Sequence, residues 1–468
     1  MRSMSQFSFR SVLPFSQEQV FAYHMSPGAL SRLIPPWEPI SVLSKTSPGV
    51  ALNSQVLLRV PLAPFLFTKW LAEHTEVTPP QSFTDEQKTG PFARWKHQHI
   101  FTALTPESSE LHDSIDYALP FAPFSTLIAR RMVERKLRRT FNFRHVRTLH
   151  DLKHHSALTI EKPKTILITG ASGLVGRNLS ALLEIAGHTV LTLSRRAGNS
   201  DNAYQWDVPN GTLPQEALER ADAVVHLAGE NIAGKRWSVE QKKKILESRV
   251  MSTRLIVQKM KECQNPPEVF LSASAVGFYG DRGDEILTEE SSNTPAAFTT
   301  HVAELWETEA RKAEELGIRT IITRIGVVLT PEDGALKKML PAFQAGVAGT
   351  LGSGKQWMSC ISIDDLIYAL HFLLVKREAS GIFNLVSPEP VTNREFTKLL
   401  GKLLKRPTLL PVSAHGLQLA LGEMSRELLL ASVRVLPERL LNEGFHFSYP
   451  GIESSLKFVL GIPDENNT

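Results

Sequence analysis

TILITGASGLVGRNLSALLEIAGHTVLTLSRR, the stretch from Thr165 to Arg196, places a glycine-rich turn between two short apolar strands. The first strand ends at Thr169, and an amphipathic helix leads from the turn into the second strand, at 188–193. In this order, backbone amides at the start of the helix can bind a pyrophosphate. Glycine is needed because a Cβ would obstruct the phosphate or the contact between helix and strand. The stretch therefore predicts a dinucleotide site formed by Gly170, Ala171, Ser172, Gly173, Leu174, Val175 and Gly176.

The end of the second strand indicates which dinucleotide is bound. NAD-preferring sites usually place Asp or Glu there, to accept a hydrogen bond from the ribose 2′-hydroxyl. This chain has Ser194, Arg195 and Arg196 instead. A guanidinium binds a 2′-phosphate through charge-assisted hydrogen bonds, whereas a carboxylate would repel it. The predicted cofactor is therefore NADP(H); the alternative is that the two arginines are solvated loop residues.

Length and composition limit the classes of protein to consider. A chain of 468 residues exceeds one ordinary core, so two or three domains are expected. A net charge of +4 gives no general case for nucleic-acid binding, and no apolar run is long enough for a membrane-spanning helix. Two cysteines and an N-terminus without a secretory pattern predict a cytoplasmic protein. No cysteine or histidine cluster has zinc-like spacing, so no metal site is expected and the scattered histidines are interpreted as surface residues.

From residue 164 to residue 390, short apolar segments alternate with helical ones. This alternation predicts a doubly wound parallel α/β sheet of the Rossmann type. Its strands are predicted at 165–169, 189–193, 223–227, 269–272, 320–325 and 381–385. The remainder, 391–468, predicts a helical C-terminal module with helices at 393–404 and 416–431.

Residues 1–155 follow a different pattern. Alternating segments separated by proline and glycine predict an antiparallel sheet with an aromatic interior and a short helix at 16–24. Its strands are predicted at 7–12, 41–43, 54–60, 72–77, 97–104 and 110–117. Basic residues are concentrated between Ile128 and Lys153 on an apolar helical pattern, which predicts a long amphipathic helix. Its basic face is interpreted as solvated surface, with contact to an anionic lipid or RNA as the alternative.

Two segments of this first domain, FSFRSVLPFSQEQVFAYHMSPGALSRLIPPWEPI at 7–40 and GPFARWKHQHIFTAL at 90–104, resemble START-like (SRPBCC) helix-grip domains. The resemblance implies an α+β fold in which a curved sheet surrounds a long C-terminal helix. It also implies an apolar cavity for a lipid-like or other hydrophobic ligand. A cavity too small to bind a ligand is the alternative.

The second domain is similar to the extended short-chain dehydrogenases/reductases. Four motifs carry this likeness: TGASGLVG (169–176), VVHLAGENI (224–232), SASAVGFYG (272–280) and RIGVVL (324–329). With PERLLNEGFHF (437–447), the chain resembles an atypical epimerase-like subgroup, once described as cell-division-inhibitor-like, some of whose members carry a START-like domain. The resemblance implies further cofactor contacts at Leu227, Ala228, Gly229, Ser272, Ala273 and Arg324. Arg249, on the helix after the second motif, is a candidate for holding a phosphate.

The chain departs from this family where proton transfer is expected. Typical members carry Tyr-x-x-x-Lys on the helix after the fifth strand, where the tyrosine is the general acid/base and the lysine lowers its pKa. The corresponding segment, TPAAFTTHVAELWE at 294–307, contains neither residue. Three replacements are predicted. Ser274 stands at the family's substrate-polarising serine, Tyr279 lies in the GFYGD turn, and His301 lies on the helix itself.

Two functions of different class agree with these features. One is an NADP(H)-dependent oxidoreductase acting on a hydrophobic or carbonyl small molecule. Nucleotide-sugar epimerisation is a variant of it that would ordinarily need the missing tyrosine. The other function is a non-catalytic regulator or scaffold, in which dinucleotide occupancy controls ligand binding by the first domain. The absence of the Tyr-x-x-x-Lys pair motivates this second function directly.

Overall fold

The structure, a computed structural model, describes residues 4–63, 65–120, 126–196, 198, 200–294 and 297–463, with only the backbone of 126–128. The chain divides into two compact units. Unit 1 comprises Met1–Leu158, Glu184–Gly187 and Leu460–Thr468, and unit 2 comprises Thr159–Leu183 and His188–Val459. Most of the predicted C-terminal module therefore falls within unit 2. The outer ends of the first and last predicted domains, 1–3 and 464–468, lie outside the described residues.

Unit 1, over its described residues, contains a seven-stranded antiparallel sheet in the order β1-β7-β6-β5-β4-β3-β2. Its strands are β1 (Ser5–Leu13), β2 (Ser41–Lys45), β3 (Gln55–Ala63), β4 (Leu66–Thr78), β5 (Ser82–Thr89), β6 (Arg94–Thr105) and β7 (Ser108–Ala118). Its helices are α1 (Gln17–Met25), α2 (Ala29–Leu33) and the long α3 (Thr126–Ser156). The predicted antiparallel sheet followed by a long helix is confirmed.

The core of unit 1 forms because alternate side chains of a strand face the same side of the sheet. In β7 the side chains of Leu111, Ile115 and Tyr117 are fully buried, while the alternate residues His112, Ser114 and Asp116 are partly exposed. Phe141 of α3 packs against Phe7 of β1, with ring centroids 5.7 Å apart. The aromatic interior expected from the sequence is therefore present.

Unit 2 contains, in its described part, a seven-stranded parallel sheet in the order β10-β9-β8-β11-β12-β14-β18. These strands are β8 (Thr165–Thr169), β9 (Thr189–Ser194), β10 (Ala203–Gln205), β11 (Ala223–His226), β12 (Val269–Ala275), β14 (Arg319–Ile325) and β18 (Gly381–Leu385). The predicted Rossmann-type sheet is confirmed. Because the strand order reverses between β8 and β11, the loops at their carboxyl ends diverge and leave a crevice there.

Helices and short strands complete unit 2. The helices are α4 (Leu174–Ile185), α5 (Gln215–Glu219), α6 (Val239–Glu262), α7 (Phe298–Arg311), α8 (Gly334–Gln344), α9 (Ile363–Val375), α10 (Asn393–Leu404), α11 (Ala414–Leu421), α12 (Glu423–Ser425), α13 (Glu438–Asn442) and α14 (Ile452–Val459). The short strands are β13 (Ile286–Leu287), β15 (Val327–Leu329), β16 (Trp357–Met358), β17 (Cys360–Ser362), β19 (Val391–Thr392) and β20 (Arg434–Val435). Among the described residues, no helix combines the length and apolar character needed to cross a bilayer.

Strand β5 and one helix of the C-terminal module are among the elements that differ from the sequence-based expectations. Strand β5 was not predicted, because its sequence SFTDEQKT is polar and only Phe83 and Thr84 in it are buried. Its place in the sheet comes from pairing with β4 and β6 on either side. The helix predicted at 416–431 was wrong in extent. It ends at Leu421, where Gly422 adopts a φ of +64°, and a π-helical turn follows at Arg426–Leu430.

The interpretation of the scattered histidines as surface residues was wrong. Buried imidazoles occur in both units, at His24, His97, His145, His188, His226 and His371. Burial of a polar group is tolerated when the group is hydrogen-bonded. His24 Nδ1 lies 2.8 Å from the Val20 carbonyl oxygen of its own helix, α1. His226 instead finds its partner on another element, with Nδ1 2.7 Å from Thr169 Oγ1 of β8. A single sequence does not display these partners, which are distant along the chain in most cases.

A buried ion pair offers a test of the packing of unit 1. Arg32 Nη2 lies 2.6 Å from Asp151 Oδ1, both side chains are fully buried, and Tyr23 donates its hydroxyl hydrogen to Asp151 Oδ2. Asp151→Ala leaves the Arg32 charge buried without that carboxylate. We therefore expect the free energy of unfolding to fall by about 3–5 kcal/mol. Urea denaturation followed by circular dichroism measures the change.

Arg10→Ala is the control for this experiment. Its ion pair with Glu110 joins side chains that are 58% and 26% exposed. We expect its removal to lower the free energy of unfolding by at most about 1 kcal/mol, because water screens exposed charges. An equally small effect of Asp151→Ala would contradict the role of Asp151 as a core ion-pair partner.

Candidate functional site

The glycine turn connects β8 to α4 at the crevice of unit 2. Gly170 has a φ of +70°, and a Cβ there would lie 2.9 Å from the Ala228 nitrogen. A Cβ on Gly176 would lie 2.3 Å from the Gly170 oxygen, so helix and strand approach too closely for a larger residue. A Cβ on Gly173 would meet only that same oxygen, at 3.2 Å, and Ser172 and Gly173 are exposed. The start of α4 is therefore open, as a pyrophosphate site requires.

A chain of hydrogen bonds joins the end of β8 to the end of β11. Thr169 Oγ1 accepts from the amides of Leu227 and Ala228, both at 3.2 Å, so its own hydrogen points to His226 Nδ1, 2.7 Å away. His226 Nε2 then donates the ring hydrogen to Ser252 Oγ at 3.0 Å. Burial, and to a smaller extent a neighbouring arginine charge, lowers the pKa of His226 to about 3. The neutral ring thus holds two predicted cofactor residues beside the glycine turn.

The residues predicted to select NADP(H) lie at the carboxyl end of β9. Ser194, Arg195 and Arg196 are all exposed. Ser194 Oγ donates to the Arg196 carbonyl at 2.5 Å, and Gln205 Nε2 donates to the Arg195 carbonyl at 3.2 Å. These contacts hold the backbone of the bend. No ion pair within the described ranges involves either guanidinium, so both charges can face a ligand.

A buried polar network joins the carboxyl ends of β12, β14 and β18. At its centre, Glu307 of α7 accepts from Arg324, which donates from Nε to Oε1 and from Nη2 to Oε2, each at 2.8 Å. Ser274 donates its hydroxyl hydrogen to Glu307 Oε1 at 2.7 Å. Arg324 Nη1 donates to the Tyr279 hydroxyl at 3.0 Å, and Tyr279 donates to Asn384 Oδ1 at 2.8 Å. The hydroxyl hydrogens of Ser274 and Tyr279 are therefore both committed within the protein.

The exposure of these side chains bears directly on the roles predicted for them. Ser274 is 3% exposed, Arg324 is 1% exposed and Tyr279 is fully buried. Burial also raises the pKa of Tyr279, which opposes proton transfer near neutral pH. The Arg324 guanidinium lies 3.4 Å from the centre of the Phe278 ring. The structure thus joins three predicted site residues in one network but gives each little surface for a ligand.

Helix α7 occupies the position where the Tyr-x-x-x-Lys pair was expected. His301 is exposed, whereas Glu307, six residues later, is buried. At about 100° per residue the two side chains are separated by roughly 120° around the helix, so His301 points away from the network. Glu427 caps the start of α7 by accepting from the amides of Phe298 and Thr299, at 3.1 and 2.9 Å.

The remaining predicted cofactor residues differ in exposure. Gly229 is exposed, Ser272 is fully buried and Ala273 is 6% exposed. Arg249 is largely covered and donates from Nη1 to the carbonyls of Glu230 and Ile245, at 3.1 and 3.0 Å. Burial lowers the pKa of Arg249 to about 10. In this arrangement Arg249 supports the backbone of the loop after β11.

Comparisons with known proteins agree with the two units. Residues 166–385 match the NAD dependent epimerase/dehydratase family, residues 13–144 match polyketide cyclase / dehydrase and lipid transport proteins, and residues 412–459 match a domain of unknown function, DUF1731. An epimerase family protein of Mycobacterium bovis is 37% identical over 64% of this chain and 98% of its own length. This chain belongs to the epimerase family.

Two solved structures extend this likeness. A structure described as the nucleoside-diphosphate sugar epimerase from Corynebacterium glutamicum is 31% identical, over 97% of this chain and 90% of that chain, with a TM-score of 0.80. The human epimerase family protein SDR39U1 (isoform 2), solved with NADPH, is 30% identical over 63% of this chain and 98% of its own, with a TM-score of 0.58. The combination of both units in one chain therefore recurs in the Corynebacterium member of the family.

Several residues that build the site of this epimerase-family chain were not singled out from the sequence. They are His226, Glu307, Asn384 and Glu427. One signal was present for Glu307, which falls on the apolar stripe of α7 with Ala303, Trp306 and Ala310. A carboxylate on a buried stripe requires a cationic partner. No comparable signal marks Asn384 or Glu427, because their partners lie more than 100 residues away along the chain.

The neutral state of His226 makes a pH-dependent prediction. In the unfolded chain this histidine takes up a proton near pH 6.5, while the folded protein excludes the proton until about pH 3. The folded state therefore loses stability as the pH falls from about 6.5 toward 3. Between pH 7 and pH 5 we expect His226 to remove about 2 kcal/mol from the free energy of unfolding.

Urea denaturation at both pH values, on the full chain and on His226→Asn, measures this contribution. The variant should lack about 2 kcal/mol of the decrease seen in the wild-type protein. His301→Asn, which removes an exposed histidine from the same unit, should behave like the wild-type protein. Equal pH dependence in the wild-type protein and in His226→Asn would disprove the buried neutral ring.

Proposed function

We propose that this epimerase-family protein binds NADP(H) at the glycine turn of unit 2 and exchanges a hydride with a small-molecule carbonyl or alcohol. The open start of α4 carries the proposal. There, Gly170 and Gly176 permit the close approach of strand and helix, and Gly173 leaves room for a pyrophosphate. The presence of NADPH in the structure of the human relative supports the choice of cofactor.

Arg195 and Arg196 account for a preference for NADP(H) over NAD(H). Both guanidiniums are exposed at the end of β9, where the adenosine ribose lies in dinucleotide sites of this fold. A ribose 2′-phosphate would receive charge-assisted hydrogen bonds from them. No acidic residue occupies 194–196, so no carboxylate at this strand end would repel the phosphate.

The nicotinamide would supply or accept the hydride when bound. The protein must then orient the substrate and move a proton. The network around Glu307 would hold the strand ends rigid, because its donors are already paired inside the protein. Ser274 Oγ retains only acceptor capacity in this arrangement, so it would accept a hydrogen bond from a substrate hydroxyl. Because His301 is exposed on another face of α7, its imidazole would exchange the proton through a water molecule, or water alone would do so.

Nucleotide-sugar epimerisation is a second candidate, favoured by the likeness to the Corynebacterium protein over nearly the whole chain. An epimerase returns the hydride to the opposite face of the same carbon, so it needs no net supply of NADPH. Incubation with UDP-sugars and analysis of the recovered sugars distinguishes the two reactions. Sugar inversion without net change in NADP(H) would favour the epimerase.

A non-catalytic, NADP(H)-dependent regulator is the third candidate. The burial of Ser274 and Tyr279 favours it, because neither hydroxyl is placed to transfer a proton to a ligand. Tight NADPH binding with no turnover, together with altered binding of a hydrophobic ligand by unit 1, would support it. Equal affinity for that ligand with and without NADPH would count against it.

Arg195→Ala tests the cofactor assignment. Loss of a charge-assisted hydrogen bond to the 2′-phosphate should weaken NADPH binding by about 10- to 100-fold. NADH has no 2′-phosphate, so its affinity should change by less than about twofold. Quenching of protein fluorescence on titration with each dinucleotide measures both constants.

The control for this experiment is Arg377→Ala. That arginine is 76% exposed and pairs with Glu161 at the surface of unit 2. Its removal should leave both dinucleotide affinities unchanged. Equal losses of NADPH and NADH affinity in Arg195→Ala would contradict the proposal that Arg195 binds the 2′-phosphate.

His301→Gln tests the proton-transfer role proposed for His301. The assay follows NADPH oxidation by the full chain in the presence of a panel of aldehydes and ketones. Removal of a general acid should lower kcat by about 10²- to 10⁴-fold, with the KM for NADPH unchanged. His415→Gln, at another exposed histidine in unit 2, should retain the wild-type kcat. A wild-type kcat in His301→Gln would assign the proton to water. An absence of NADPH oxidation across the whole panel would weigh against hydride transfer to carbonyls.

A further inference from the structure

The interior of unit 1 contains a cluster of histidines and aspartates on three adjacent strands. In the antiparallel register, Asp85 of β5 is opposite His97 of β6. His99, two residues further along β6, is opposite Asp113 of β7. Because residues two apart in a strand face the same side of the sheet, His97 and His99 project together. His145 of α3 reaches the same cluster, with Nε2 2.6 Å from Asp113 Oδ2.

Three of these side chains converge on one point. Asp85 Oδ2 lies 3.2 Å from His97 Nδ1 and 3.5 Å from His99 Nε2. These three ligand atoms all lie within 4.8 Å of one another. In a tetrahedral site with metal–ligand distances of about 2.0–2.1 Å, neighbouring ligand atoms are about 3.4 Å apart. Two of the three separations therefore already match the edges of such a site.

Asp113 lies on the other side of the two imidazoles and orients His97 by a hydrogen bond. His97 Nε2 and Asp113 Oδ1 form a hydrogen bond of 2.8 Å. His99 Nδ1 lies 2.8 Å from the same oxygen, but the angles of this contact are not those of a hydrogen bond. The far nitrogen of each ring is thus turned toward Asp113, which leaves His97 Nδ1 and His99 Nε2 directed at Asp85. A carboxylate behind a histidine is the usual outer partner of a metal-binding imidazole, because it fixes both tautomer and ring orientation.

The cluster lies among aromatic side chains but is not sealed. The Phe83 ring stacks on His99 with centroids 4.1 Å apart, and the Phe141 ring lies nearly perpendicular to His97 with centroids 5.3 Å apart. The side chains of Asp85 and His99 nevertheless remain 17% and 12% exposed. An ion held by three protein ligands would therefore keep a coordination position for water or for an oxygen atom of a bound molecule.

We propose that Asp85, His97 and His99 bind one divalent first-row transition-metal ion, oriented by Asp113. Two imidazoles and one carboxylate suit Zn²⁺, Fe²⁺ or Co²⁺, whereas Ca²⁺ and Mg²⁺ prefer sites made of oxygen ligands. The open position gives the metal a role in holding a polar oxygen of an otherwise apolar ligand. This site is independent of the dinucleotide proposed for unit 2.

Metal titration of the purified full chain tests the proposal. After treatment with EDTA and its removal, the protein is titrated with Zn²⁺ against a chromophoric chelator, and with Co²⁺ under visible absorption. We expect one equivalent of Zn²⁺ per chain and a Co²⁺ spectrum with d–d bands that Zn²⁺ abolishes. Mg²⁺ should not compete for the site.

Four variants locate the binding. His99→Gln and Asp85→Asn each remove one ligand and should weaken Zn²⁺ binding by at least about 100-fold, whereas Asp113→Asn, which loses only the outer partner, should weaken it by about 10- to 100-fold. His112→Gln is the matched control. That histidine neighbours Asp113 in β7 but bonds with Ser8 instead, at 2.9 Å, so its loss should leave the affinity unchanged.

Two results would overturn the proposal. One is the absence of stoichiometric Zn²⁺ binding and of Co²⁺ d–d bands in the wild-type protein, a readout that does not depend on any variant folding. The other is equal Zn²⁺ affinity in the wild-type protein and in a His99→Gln variant whose circular dichroism spectrum is unchanged, which would place the bound ion elsewhere.

Discussion

The Glu307–Arg324 ion pair is the contact on which the arrangement of unit 2 at its crevice depends. It ties α7 to β14, and through Ser274 and Tyr279 it extends to β12 and β18. Both charged side chains are 2% exposed, so each would be strongly destabilising without the other. Satisfying this one pair fixes the positions of four elements that border the proposed site.

This network occupies the hydroxyl hydrogens of Ser274 and Tyr279, which proton transfer to a substrate would otherwise need. The resemblance to extended short-chain dehydrogenases/reductases implied a tyrosine and a lysine for proton transfer on the helix after the fifth strand. Here the serine at the end of β12 donates to a buried carboxylate, and the nearby tyrosine is inaccessible. The glycine turn is therefore present in a chain that lacks the expected Tyr-x-x-x-Lys pair.

Polar groups also occupy the interior of unit 1, where the resemblance to helix-grip domains had implied an apolar cavity. Aromatic rings do lie in the interior of unit 1, but Asp85, Asp113 and three histidines lie among them. Such a cluster is tolerated only because each carboxylate faces imidazole nitrogens at short range. The interior of this domain therefore combines aromatic rings with a polar cluster.

A sequence-based prediction was confirmed where the pattern lies within a short stretch of the chain. It failed where the deciding contacts join residues that are far apart along the chain. The strand–turn–helix order at 165–193, the two sheets and the long helix of unit 1 were all predictable, because they rest on periodicity and on glycine spacing within short stretches. Strand β5 was missed because its polar residues carry no such pattern. The buried histidines were misinterpreted because most of their partners stand on other elements.

By itself, the sequence determined the fold class of both units, the start of a dinucleotide site and the absence of the Tyr-x-x-x-Lys pair. Each of these features can be recognised from residues that are consecutive or closely spaced in the sequence. Only the tertiary structure decided that Ser274, Tyr279 and Arg324 form one closed network, and that Asp85 meets His97 and His99. Those contacts join residues from different strands and helices, and their geometry exists only once the strands are in register and the cores have excluded water.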